Sequence, residues 1–475
     1  LAGIFKAYDI RGVVPDELDA AAARRIGRAI AGVLGSPAIA VGRDARASSP
    51  ELFAALLQGL GELSCEVADL GLVCTPMLYH AVESLGAGGG VMITASHNPA
   101  RYNGFKICRE HAIPIGEASG LREIERLASE PLPAAPRPAQ DRGAAPQRSA
   151  AERSAGHRSN QGRVRSVDLR EEYVEHVLRV GSQIPKLRVA IDCGNGMAAV
   201  ALEPLLERLP LEVERLYFEP DGTFPNHDAN PLEPENLRDV VAAVRRGRAD
   251  LGVAFDGDAD RAIFVDDRGE PVASDLVTVL LARRALREHP GGLVLYDLRS
   301  SRVTAEEVVA AGGRAEMCRV GHSFVKQRMR ETGAIFAGEL SGHMYFRFSP
   351  TLVADDGIAA FVALLDAIGA ERKSLSELAA PLRRYSATGE INRRVSDIPG
   401  LLGAIEREHA GAPEISHLDG LLVRYPDWWF NLRPSNTEPV VRLNLEADTR
   451  ERMVEQRDAI LARIAQLGGE APAAH

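Results

Sequence analysis

One arrangement of apolar and polar segments occurs three times in this chain, and it restricts the fold more than any other feature. An apolar strand ends in a polar, Asp-containing turn at IAVGRDARASS (39 to 49), LRVAIDCGNGMAA (187 to 199) and LVLYDLRSSR (293 to 302). A helical stretch follows each: ELFAALLQGLGEL, VALEPLLERL and VTAEEVVAAGG. Then comes a second strand with a polar loop, in CEVADLGLVCTPM, LEVERLYFEPDGTFPN and AEMCRVGHSF. Strands alternating with helices at this pace predict three related α/β domains, with ligand loops at the carboxyl ends of the strands. The C-terminal part changes character: a helical AIEREHAG, strands around GLLVRYPDWWFNLRP and VVRLNLEA, and a closing helix RERMVEQRDAILARIAQL predict a small α+β domain.

A length of 475 residues agrees with about three or four domains. The expected division is 1–150, 166–266, 267–380 and 381–475, with a linker over 131–165 that is rich in Pro, Ala, Arg and Ser and lacks apolar periodicity. Apolar residues make up 45% and charged residues 26%, the balance of a globular chain, and no apolar run reaches the length of a membrane span. The start, LAGIFKAYDIRG, has no basic region followed by a long apolar one, so export is not expected. Five scattered cysteines form no C-x-x-C pair, which argues against a disulfide framework or a zinc site and for a reducing cytoplasm. A net charge of -10 argues against nucleic acid or an anionic membrane as partner, so an anionic ligand has to be met by local cations.

Four segments carry candidate chemistry. In GGGVMITASHNPARYNGFK, a Gly run and a short strand lead to Ser96, His97, Asn98 and Pro99, with Lys106 ten residues after Ser96. No G-x-S-x-G elbow surrounds Ser96, which disfavours a serine hydrolase. A hydroxyl at a strand end with cations nearby suits a carrier of a transferable group. In LGVAFDGDADR, a strand runs into Asp256, Asp258, Asp260 and Arg261. Three carboxylates at alternate positions can turn oxygens towards one hard cation, and Mg²⁺ is the natural occupant. An EF-hand is excluded because Arg261 stands where its loop needs Gly and a strand precedes the loop. A D-x-D after a strand also allows a nucleophilic Asp, as in an aspartyl-phosphate phosphatase.

In AGELSGHMYFR, Glu339, Ser341 and His343 stand at spacing two, which in an extended segment places them on one face and suits the hydroxyls of a sugar. In NLRPSNTEPVVRLN, Arg433, Ser435, Asn436 and Thr437 crowd a Pro-bounded loop, where a planar guanidinium and small polar groups suit a phosphate. Further cations are Arg11 in AYDIRG, and Arg299 and His322 in the polar loops of the third repeat.

Taken together and in this order, TASHNP, DGDADR, GELSGH and RPSNTEP resemble the α-D-phosphohexomutase superfamily, and within it the phosphomannomutase/phosphoglucomutase branch. The resemblance runs from about Phe5 to Glu446. It implies three mixed α/β domains and a C-terminal domain like the TATA-box-binding protein, set around a central cleft. It also implies an enzyme that moves a phosphoryl group between O1 and O6 of a hexose, with hexose 1,6-bisphosphate as intermediate and activator. Carried over by residue, Ser96 is the expected phosphoserine, and Asp256, Asp258 and Asp260 with the phosphoserine oxygen are the expected Mg²⁺ ligands. Glu339 and Ser341, with His343 beside them, are expected at the sugar O3 and O4. Arg433, Ser435, Asn436 and Thr437 are expected at the non-reacting phosphate. Tyr8, Arg11, His97, Lys106, Arg261 and His322 fall at active-site positions, with Lys106 a candidate general acid or base.

The departures are few: Leu340 replaces the Met of GEMSGH, Ala45 the Gly of GRDGR, and Arg299 a residue that is Lys in some relatives. Mannose and glucose phosphates are both expected substrates, since readers of O3 and O4 do not address C2, where the two sugars differ; the similarity of YPDWWFNLRPSNTEP and ARYNGFK to mannose-handling relatives implies mannose first and glucose second. A phosphoglucosamine mutase and a metal-dependent sugar phosphatase are the alternatives. Oligomeric state is not legible in the chain.

Overall fold

The computed structural model describes residues 3–130, 163–435 and 440–471. Each repeat extends beyond its two recognised strands into a four-stranded unit of one topology. Across the first sheet the strands run Tyr102–Arg109, Gly89–Ile93, Ala38–Arg43, Glu66–Leu72. The second runs Ala262–Val265, Leu251–Phe255, Leu187–Asp192, Leu211–Leu216, and the third Met344–Arg347, Phe336–Gly338, Leu293–Asp297, Arg314–Cys318. In all three the last three strands pair in parallel. The remaining strand returns antiparallel through a short hairpin. That hairpin was absent from the repeat read in the sequence, and it carries Ser96 in the first unit, Asp256 to Arg261 in the second and Glu339 to His343 in the third.

The predicted helices form at Ser49–Gly61, Ala198–Leu206 and Arg302–Ala310. The first packs closely on Ala20–Leu34, whose N-cap Asp19 accepts from the Ala22 N–H at 2.7 Å. The contact needs glycine on both sides, because a Cβ on Gly27 would meet the Leu56 carbonyl at 2.4 Å and one on Gly59 the Arg24 carbonyl at 2.0 Å. One apolar core, holding Met77, Leu202, Phe255, Val294 and Phe361, runs through all three units and keeps their loop ends in fixed relation.

Residues 131–162 of the expected linker lie outside the described residues. Val164–Ser166 pairs in parallel with Val67–Asp69, so Val164 and Arg165 belong to a strand of the first sheet rather than to a linker. The C-terminal unit is an antiparallel sheet covered by Ile398–Glu408 and Arg450–Gln466, with its own core around Phe430 and Leu443. A small apolar patch, Leu298 with Leu422 and Trp429, joins it to the third unit. Among the described residues no helix is long and apolar enough to cross a membrane.

Candidate active site

The three hairpins meet. Ser96 lies in the left-handed backbone region at φ 50°, which an L residue tolerates only when neighbours hold it there. Its N–H donates to Thr94 Oγ1 at 2.9 Å. Gly257 of the second hairpin presses on it so closely that a Cβ there would meet the Ser96 carbonyl at 2.5 Å. Ser96 Oγ donates to Asp256 Oδ2 at 2.7 Å and lies 3.2 Å from His97 Nδ1. On the other side of the second hairpin, Arg261 forms a β-bridge with His343 and donates through Nε to His343 Nε2 at 2.9 Å. His343 Nδ1 faces Asp355 Oδ2 at 3.1 Å.

Asp256, Asp258 and Asp260 are at most 1% exposed, and each offers an oxygen within 4.8 Å of the others. Burial, then Asp260 and Asp258, push the Asp256 carboxyl well up from its ordinary range. Asp258 Oδ1 and Asp260 Oδ1 are buried without a hydrogen-bond partner among the described residues. Buried carboxylate oxygens left unpaired are costly, and a divalent cation satisfies them, so this donor set fits Mg²⁺. Lys106 offsets part of the charge, donating to Asp258 Oδ2 at 2.7 Å and Asp260 Oδ2 at 2.5 Å. Burial, which alone would lower its pKa, is outweighed by Asp258, Asp260 and Asp256, so Lys106 is raised and held as a cation. His97 moves the other way: burial, then Arg261, Arg11 and Lys106, hold the imidazole well below its ordinary value and neutral.

Glu339 to His343 is a tight turn with Gly342 at φ 87°, not the extended segment expected. The Gly342 N–H donates to the Glu339 carbonyl at 3.0 Å, and the Glu339 N–H donates to the His343 carbonyl at 2.9 Å. Spacing two therefore no longer implies a shared face. Glu339 is buried; it accepts from the Gly321 N–H at 2.7 Å and from the Tyr345 hydroxyl. Ser341 sits half-buried at the crown of the turn.

Other expected residues ring the same cleft. Arg11 donates to Asn98 Oδ1 at 2.6 Å and to Asp9 Oδ2 at 2.5 Å. The Tyr8 hydroxyl donates to the Val320 carbonyl at 3.4 Å, and its ring meets His322 edge-on at 5.6 Å. Burial, then Lys326, keep His322 well below its ordinary pKa. Arg299 donates twice to Asp297, whose Oδ2 also accepts from the Leu340 N–H at 2.7 Å. Arg433 extends from the C-terminal sheet towards Glu390, and Ser435 Oγ accepts from Arg442 at 3.5 Å. Asn436 and Thr437 lie outside the described residues.

Several residues that hold this site were missed. Arg46, 1% exposed, donates to the carbonyls of Ser96 (2.9 Å), Asn98 (2.6 Å), Pro99 (2.8 Å) and Tyr102 (3.0 Å), and through Nε to Asp44 (3.1 Å). Lys326 is fully buried, donating to Asp355 at 2.8 Å and to the Tyr79 hydroxyl at 3.2 Å. The one usable signal for Arg46 was its place in the polar turn of the first repeat; nothing marked Lys326 within its helix.

Three like α/β units and an antiparallel fourth, converging a serine hydroxyl, three carboxylates and a ring of cations on one cleft, define an α-D-phosphohexomutase. All four domains of the phosphoglucomutase/phosphomannomutase family match: alpha/beta/alpha domain I over residues 2–132, domain II over 171–269, domain III over 273–385 and the C-terminal domain over 390–463. The chain belongs to this family. It is 39% identical over 458 residues to a phosphomannomutase/phosphoglucomutase of Pseudomonas aeruginosa, covering 95% of this chain and 93% of that one. It is 38% identical over 452 residues to a phosphomannomutase of Salmonella typhimurium, covering 93% and 94%. A crystal structure of a phosphoglucomutase/phosphomannomutase family protein from Burkholderia thailandensis superposes with a TM-score of 0.85 at 33% identity, over 100% of this chain and 98% of the other.

Proposed function

We propose that this enzyme interconverts hexose 1-phosphates and hexose 6-phosphates, mannose phosphates first and glucose phosphates second, with Ser96 carrying the phosphoryl group. The observation that carries this reading is the strained Ser96 hydroxyl bonded to Asp256 within a buried carboxylate trio. In each transfer one P–O bond breaks and one forms. The attacking sugar hydroxyl takes the phosphoryl group from Ser96 and gives up its proton, while Ser96 Oγ leaves with the electron pair and takes up a proton to end as the free hydroxyl. The resulting hexose 1,6-bisphosphate turns end for end, and its other phosphate returns a phosphoryl group to Ser96. The same bisphosphate, added in trace, restores enzyme that has lost its phosphate.

Asp256, Asp258 and Asp260 would hold Mg²⁺, which when bound supplies charge stabilisation to the transferring oxygens. Lys106 and Arg261 add fixed positive charge beside Ser96, already oriented before the reaction. The neutral His97 contributes no repulsion to them. Lys106, pinned as a cation by two carboxylates that raise its pKa, serves as an electrostatic partner rather than as the general acid or base. Arg433 and Arg299, from different units, both approach Glu390 Oε2 and suit the phosphate that is not reacting. The five cysteines are all buried and unpaired, which supports a reducing cytoplasm as the place of work.

The test combines two measurements. Intact-mass spectrometry with peptide mapping should find one phosphoryl group on Ser96 after incubation with hexose 1,6-bisphosphate, and none in Ser96→Ala. Coupled assays with mannose, glucose and glucosamine 1-phosphates should rank the sugars in that order. A fully active Ser96→Ala enzyme would sink the phosphoserine reading, and glucosamine 1-phosphate as best substrate would overturn the sugar assignment alone.

A further inference from the structure

Arg299 belongs to the third unit and Arg433 and Arg442 to the C-terminal one, yet one carboxylate, Glu390, lies within 4 Å of all three. Glu390 Oε2 lies 3.4 Å from Arg433 Nη2 and 3.9 Å from Arg299 Nη1, while its Oε1 accepts from Arg442 Nη1 at 3.0 Å. The other donors of Arg299 are already committed. Its Nε and Nη2 both donate to Asp297, so Nη1 is the end of the fork turned towards Glu390. Arg433 Nε is buried without a hydrogen-bond partner among the described residues, and Arg433 Nη2 points at the same Glu390 oxygen. A phosphate drawn in between the two guanidinium groups therefore meets N–H groups that are turned towards Glu390.

The charges make this competition rather than mere proximity. Burial first, then neighbouring Arg299, lower the Arg433 pKa; Asp419 and Glu390 oppose them, and Arg442 adds a smaller push downward. Without an anion, three guanidinium groups on two domains repel one another. With both Glu390 and a phosphate dianion present, the anions repel instead. Glu390 is the carboxylate that water can reach: its side chain is 26% exposed, and it precedes the strand Ile391–Arg394 directly after Gly389, which takes φ 67°.

We propose that Glu390 is a built-in counter-anion of the phosphate clamp. It holds the arginines of the two domains together when no substrate is present, and it yields their N–H groups to the incoming phosphate. Glu390 is thus a positioning residue that tunes affinity downward and eases the release that each turn of the bisphosphate requires. The inference rests on the phosphate-clamp reading of Arg433 above.

The experiment measures the affinity of unphosphorylated enzyme for mannose 1-phosphate by calorimetry, alongside steady-state kinetics, for wild type, Glu390→Gln, Glu390→Asp and Arg433→Ala. Glu390→Gln should bind roughly five- to tenfold more tightly, with KM and kcat both falling, because release slows while the competitor is gone. Glu390→Asp, which keeps the charge one methylene further back, should lie between. Unchanged or weaker binding by Glu390→Gln with an unaltered unfolding midpoint would overturn the proposal; should that variant fail to fold, unchanged or weaker binding by Glu390→Asp does so. If Arg433→Ala also binds like wild type, the clamp reading itself is wrong, a different failure from an effect of Arg433 without one of Glu390.

Discussion

Thr75, at the start of a helix in the first unit, grips Asp258 of the second twice. Its hydroxyl donates to Asp258 Oδ2 at 2.6 Å, and its N–H donates to the Asp258 carbonyl at 2.9 Å. The metal loop is therefore oriented by a residue of another domain. Thr75→Val keeps the shape and removes the hydroxyl. The Mg²⁺ concentration for half-maximal activity should rise about ten- to a hundredfold, as outer-shell partners usually dictate. An unchanged metal titration would show that the backbone contact alone orients Asp258.

Arg46 binds four carbonyls of the Ser96 loop at once, so no other side chain can replace it. Arg46→Met should leave those oxygens and Asp44 unsatisfied and cost on the order of 3 to 5 kcal/mol. Chemical denaturation checks the stability. The rate at which phosphorylated enzyme loses its phosphate to water checks the loop, and it should increase.

Arg433→Ala should weaken both hexose 1-phosphate and hexose 6-phosphate binding by about 2 to 3 kcal/mol, because one clamp serves whichever phosphate is not reacting. A loss confined to one of the two isomers would place the clamp elsewhere.

The His176 ring of the second unit packs at a tilt against His80 of the first, with centroids 4.6 Å apart, and against Phe348 of the third at 4.4 Å. Burial, then His80 and Arg179, pull its imidazole down from 6.5 to about 3. The unfolded chain thus takes up a proton near pH 6.5 that the native state refuses until about pH 3, so stability is complete above the first value and declines as pH falls through that window. His176→Phe should flatten the loss of denaturation midpoint between neutral and mildly acid pH. A variant with the wild-type slope would exonerate this junction.

What the sequence made legible is what lies close together along it. TASHNP and DGDADR are each one hairpin, so Ser96 and the three Asp could be named from adjacent residues. Glu339 and His343 were found, but the turn that Gly342 imposes was not, because alternation reads alike in a strand and across its bend. Arg46, Thr75 and Glu390 escaped because the contacts that give them their place, with Ser96, Asp258 and Arg433, lie about 50, 183 and 43 residues away, and no local pattern encodes a distant contact. The fourth strand of each unit was missed for a related reason. It belongs to the repeat only by its place in the sheet, having no motif in common with its counterparts.

The recurrence of one hairpin in three units separates tasks that most active sites entangle. The proposed donor, cation seat and sugar contact each occupy the crown of a separate strand pair, so the chain resembles an instrument with different tips on a common handle. Exchanging residues 339–343 for another crown of the same length would leave both strands of that pair, and the other two crowns, with their own pairing intact. New sugar selectivity at one tip thus has a single condition set by its neighbour, that the crown keep a partner for Arg261 where His343 now stands.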